Sequence, residues 1–330
     1  MKFALAISLC LSGLLWGQDS PLTGQRASTQ NEELVVHRGS SKLRAVIVQE
    51  GEDLLRSMAT IAGEPKGKPY PVVLEIHPAK EEAPSRIVRS FRTLPENENR
   101  YRLQLDLRLG AGESFDQQNL RLVLLEMFII ERGLKSLPDG ERATQVGVPA
   151  WLLYGLMASL EWDDGKMDRR IYGSLLKSGG WMEVEKLVDQ KEVEKMDRLS
   201  RDLYRASTCA LVRAFLKQPK GKDGMAQLVS VVGTFEGEQI SLIQNHFSEV
   251  NLSRKGLERM WMLQVAAMAQ SRLANAMTIA ETEAELKRGL YLLIPREGKT
   301  EKSPGLDEWA EVLDLEDEAR MEAVRASSDQ

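Results

Sequence analysis

Leu125, Glu126 and Ile129 stand at a spacing that metal chemistry uses, yet two of the three carry the wrong side chains for it. Residues at i and i+4 share one face of a helix. Two donors placed so can grip one ion, and a glutamate directly after the first can act as base toward a metal-bound water. Leu125 and Ile129 offer no lone pair. Zinc needs nitrogen, sulfur or carboxylate oxygen, commonly from three protein groups at a catalytic site. Glu126 supplies one, and Tyr154, twenty-five residues beyond Ile129, is a phenol that ordinarily ionises only near pH 10. No metal and no cofactor is expected here, and Leu125 and Ile129 are expected in the core. Glu126 is ringed by Leu122, Val123, Leu125, Phe128, Ile129 and Ile130. A carboxylate in such company needs a partner or a proton. Arg121, Arg132, Tyr154 or a strand N–H is the expected partner, and a role in a cleft with Trp151 and Tyr154 is the alternative.

Other reactive residues carry less. The three histidines, His37, His77 and His246, have no second His and no Cys at ligand spacing, so each reads as an ordinary polar residue. Asp163-Asp164-Gly165 reads as a turn. Cys209 sits in an apolar helical pattern with Leu203, Ala206, Ala210, Leu211, Ala214 and Phe215 and is expected as a small buried hydrophobe. Trp151, Tyr154, Trp162 and Trp181 at helical spacing read as core, with the lining of a cleft as the alternative. No phosphate-binding loop, dinucleotide fingerprint or Gly-x-Ser-x-Gly elbow is present.

The segment Pro149-Ala150-Trp151-Leu152-Leu153-Tyr154-Gly155-Leu156 resembles the Pro-x-Trp-Leu-x-Glu-Gly-Leu of gluzincin zinc peptidases, whose Glu is the third zinc ligand. Residues 125–129 stand where that family has His-Glu-x-x-His. The likeness to the peptidase-MA-like branch extends to Tyr204-Arg205-Ala206-Ser207, to Val212-Arg213 and Leu216, and to the Gly-bounded turn at Gly221 and Gly224 before Leu228-Val229. It covers about 70–250 and rests on the common order of short motifs. The resemblance implies a zincin-like scaffold with a cleft. It does not carry over the activity, because all three ligand positions, now Leu125, Ile129 and Tyr154, have lost their donors.

The elements that must position these residues follow from periodicity. An α+β fold is expected: a small mixed sheet with an early helix, then a mostly helical zincin-like half and a C-terminal helical extension. Strands are expected at 43–49, 70–77, 87–91 and 101–109, the last alternating cleanly. A helix is expected over 52–62, ending at Gly63. Another should start near Ser114 or Asp116 and end at Gly133, buried on every side except at Glu126. Further helices are expected at 149–161, 166–177, 181–190, 197–217, 223–232, 237–247, 253–277, 281–290 and 306–325.

Lys2 and the apolar run 3–16 read as an export signal over 1–17, too short to span a bilayer with ease; an uncleaved anchor is the alternative. A flexible leader is expected over 18–34 and a degenerate peptidase-like domain over 35–250, strand-rich to 110 and helical from 111. A helical extension is expected over 251–294, then a linker and an acidic helix over 295–330. The apolar fraction of 42% allows a packed core, and the net charge of -5 with no basic stripe argues against nucleic acid. The expected protein is an exported, non-catalytic peptidase-like binding or scaffold module of the periplasm or cell exterior, with a peptide or protein partner and no membrane span once the signal is removed. The alternatives are an enzyme with reassigned chemistry using Glu126 and Tyr154, and a structural helical envelope protein unrelated to peptidases.

Overall fold

The computed structural model describes residues 26–270 apart from 65–66, 68–69, 79–82, 94–100, 139–140, 178–181 and 248–252. The segments expected as signal peptide (1–17), as linker (295–305) and as helices at 281–290 and 306–325 lie outside the described residues, as does Trp181. The fold is α+β, a small mixed sheet and a long helical half.

The sheet holds β1 (Arg26–Ser28), β2 (Leu34–His37), β3 (Val72–His77), β4 (Arg86–Thr93) and β5 (Tyr101–Arg108), in the order β1-β2-β3-β5-β4. The three central strands, β2, β3 and β5, run parallel, and β1 and β4 pair antiparallel at the two edges. Alternation sorts the faces. Val72, Leu74 and Ile76 of β3 and Leu103, Leu105 and Leu107 of β5 are buried, while Glu75, His77 and Asp106 turn to the opposite, half-buried face. β1 and the start of β2 lie in the stretch expected as a flexible leader, so residues 26–34 are built into the sheet. The polar composition of 26–33 hid β1, which pairs with β2 alone, and β2 is held in the sheet by its parallel pairing with β3.

α1 (Ser41–Ala62) corrects a second expectation. Residues 43–49 look like a strand because Val46, Ile47 and Val48 run together. Ser40 instead caps a helix, its hydroxyl accepting from the Leu43 N–H at 3.3 Å. The buried stripe Arg44, Ile47, Gly51, Leu54, Met58 and Ile61 has the helical period and outweighs the β-branched run. Gly51 lets this helix approach β2: a Cβ there would stand 2.6 Å from Leu34 Cδ2.

α2 (Gln117–Lys135) begins at Asp116, whose carboxylate accepts from the Asn119 N–H at 3.0 Å, and packs against β3 and β5. The remaining described helices are α3 (Ala150–Asp163), α4 (Arg170–Lys177), α5 (Val184–Asp189), α6 (Arg198–Leu216), α7 (Gly221–Val232), α8 (Gln239–His246) and α9 (Arg254–Ala269). The core is continuous from the sheet through α2 and α3 to α6 and α9. No described helix is long and apolar enough to cross a membrane.

Candidate functional site

α2 presents two different faces. Leu125 and Ile129 are fully buried in the core. Asn119, Leu122, Val123 and Glu126 recur at helical spacing on the other side and line a cleft of about 470 Å³. Such a volume lies within the range of ligand-binding clefts. Across from α2 the walls are Ile87 and Arg89 of edge strand β4, Tyr154 and Met157 of α3, and Arg201 and Arg205 of α6. Glu194, in a 3-10 turn over Val193–Lys195, closes one side.

Glu126 and Tyr154 therefore share one cleft. Leu125 and Ile129 do not line it. The partner of Glu126 is none of the expected ones. Arg89 of β4 donates to its carboxylate. Arg121 is engaged by Glu50 at 3.0 Å, and Arg132 donates to the Ala62 carbonyl at 3.2 Å. Arg89 faces α2 because it stands opposite Leu105 in the antiparallel register, and Leu105 faces the helices. A face assignment in an edge strand depends on that register, which no local period in 86–93 reveals.

Burial raises the Glu126 pKa above the ordinary carboxylate value, against the pull of Arg89, and nearby Glu194 pushes the same way as burial. Burial also raises Tyr154, with Glu194 and Glu126 adding to the rise and Arg201 and Arg205 opposing it. Tyr154 thus stays a phenol and a hydrogen-bond donor at neutral pH. Its ring packs edge-on against Tyr204, with centroids 6.0 Å apart. Glu161 is held by Arg205 at 2.5 Å, and Arg201 donates to the Glu194 and Met196 carbonyls at 3.0 Å each. The cleft can offer acceptors, one phenolic donor and guanidinium groups around an apolar floor of Leu122, Val123 and Met157.

Trp151 does not reach the cleft. It is fully buried, with its indole N–H directed to Gln239 Oε1 at 3.4 Å, and it packs on Phe215. The expectation that it lines a cleft with Glu126 and Tyr154 is corrected: the large ring occupies the space between α3 and α6 instead. Trp162 packs against Tyr172 and lies under the Arg169 guanidinium. Asp163, the last residue of α3, pairs with Arg213 at 2.7 Å, and Gly165 takes a positive φ in the turn that follows. Cys209 is buried and free.

Among the described residues, three or more potential metal donors gather only at Glu75, His77 and Asp106, on the sheet face away from the cleft. Within the cleft the carboxylates are separated and two are tied to arginines, so its donor set does not fit a bound ion. No family model matches the chain, and no curated protein matches it.

Proposed function

We propose that this chain is an exported, non-catalytic binding module with a peptidase-like scaffold, whose cleft beside Glu126 takes an extended peptide along edge strand β4. One juxtaposition carries the reading. Glu126 and Tyr154, both at positions of the gluzincin-like motifs, open into the same cleft next to an outermost strand, while Leu125 and Ile129 are sealed as hydrocarbon core. An edge strand carries backbone N–H and C=O groups free to pair with an added strand. A peptide laid there passes the Glu194 acceptor and the Tyr154 donor, which line the same cleft. Its side chains meet Leu122, Ile87 and Met157.

The second reading, an enzyme with reassigned chemistry, is favoured by the shared exposure of Glu126 and Tyr154 and by the raised pKa of the carboxyl, which suits an acid or base. Against it stands Arg89, which ties up the carboxylate. Titration of the purified chain into a permanently unfolded protein, such as reduced and carboxymethylated lactalbumin, separates the cases. Binding that Leu122→Arg abolishes, with the unfolded partner left intact, is the expected result. Absence of binding, or binding indifferent to Leu122→Arg, counts against the module. Turnover lost in Glu126→Gln would install the enzyme.

A further inference from the structure

The geometry points to a binding site for a first-row divalent cation, zinc being the suited ion, formed by Glu75, His77 and Asp106 on the sheet face opposite the cleft. Glu75 and His77 are two residues apart on β3 and so share a face, and Asp106 of β5 stands directly beside Glu75 in the parallel register. The ligand atoms of all three lie within 4.8 Å of one another. His77 Nε2 and Asp106 Oδ1 are 3.5 Å apart. That is too long for an N–H···O hydrogen bond. It is close to the roughly 3.4 Å expected between two ligands that each stand about 2.1 Å from one ion at a tetrahedral angle.

The surroundings fit a cation. Gln104, two residues before Asp106 on the same face, donates from its amide nitrogen to Asp106 Oδ1 at 2.9 Å and so orients the carboxylate, as outer partners of metal ligands do. Glu75 forms long ion pairs with Arg38 at 3.9 Å and Arg102 at 4.0 Å, neither within hydrogen-bonding distance, and a bound ion would take the place of these guanidinium groups at its carboxylate. Two carboxylates and one imidazole suit zinc and its neighbours in the first transition row, and neutralise a double charge. His37 stands opposite Glu75 on β2, one strand spacing away. The pairing of β3 with β5 creates the cluster, which is why His77, with no second His or Cys at ligand spacing in sequence, gains Asp106 as a neighbour in space.

Calorimetric titration of zinc chloride into the full-length, chelator-stripped protein tests the site. One zinc per chain is expected. His77→Ala and the near-isosteric Asp106→Asn should each weaken binding by at least about tenfold, and His246→Ala, on α8, should leave it unchanged. Circular dichroism and thermal melts of each variant show that the folds compare. Failure of the wild-type chain to bind zinc, or equal binding by Asp106→Asn and the wild type, overturns the site. Neither result touches the peptide cleft, whose lining includes none of these residues.

Discussion

Arg89 on the edge strand and Glu126 on the second helix form an ion pair across the mouth of the cleft. The carboxylate side chain is only 12% exposed and the guanidinium is 48% exposed. The pair therefore joins a mostly desolvated charge to a half-solvated one, and it ties β4 to α2.

Removing the arginine leaves Glu126 with no counter-charge at its carboxylate. Arg89→Ala should destabilise the fold by about 1–3 kcal/mol, towards the lower value because the guanidinium already meets water. The double variant Arg89→Ala with Glu126→Gln should recover most of that loss. Urea denaturation midpoints measure both, and a double variant no better than the single one would disprove the coupling.

Glu126 and Glu131 both have raised pKa values, each chiefly through burial. A carboxyl whose folded pKa exceeds its unfolded value binds more protons in the folded state over the interval between them. Stability from these groups therefore falls as pH rises from the ordinary value of 4.5 towards the folded values. Glu126→Gln should flatten that slope. Denaturation midpoints measured from pH 4.5 upward report it, and parallel curves for the two proteins would refute it.

Gly155 explains why its motif position tolerates no side chain. A Cβ there would stand 2.7 Å from the Thr208 carbonyl oxygen and 2.7 Å from a Val212 methyl, where α3 crosses α6. The gain in helix propensity from Gly to Ala is roughly 0.5–1 kcal/mol, and overpacking costs about 1–3 kcal/mol. Gly155→Ala should lower the unfolding midpoint. An unchanged or raised midpoint would show that the two helices separate freely.

Burial pushes the Cys209 thiol up to about 12. The thiolate is the reactive form, so in the Cys10→Ala protein, where Cys209 is the one remaining thiol, the native chain at mild alkaline pH should be inert to Ellman's reagent and should react fully once unfolded. Rapid labelling of the native protein would place the thiol at the surface.

The sequence was most legible where one element suffices. The period of 101–109, the Asp116 cap and the apolar helix expected to end at Gly133 are local, and all three are present in the fold, the helix running on to Lys135. Leu125 and Ile129 as core also followed from side-chain chemistry alone. What failed depended on partners far along the chain. β2 is held by distant β3 and in turn carries β1, residues 43–49 are helical because a cap and a stripe extend beyond them, and Trp151 is sealed by its packing on Phe215. Arg89 was invisible as the partner of Glu126 because only the register with Leu105 turns it toward α2.

The most direct test of the peptide cleft is a mixed-sequence octapeptide pool incubated with the purified chain, with retained and released species weighed by mass spectrometry. The account predicts that intact octapeptides are retained, that Leu122→Arg releases them, and that no shorter products accumulate with or without added zinc. Cleaved products that disappear in Glu126→Gln, or retention that ignores a blocked cleft, would contradict it.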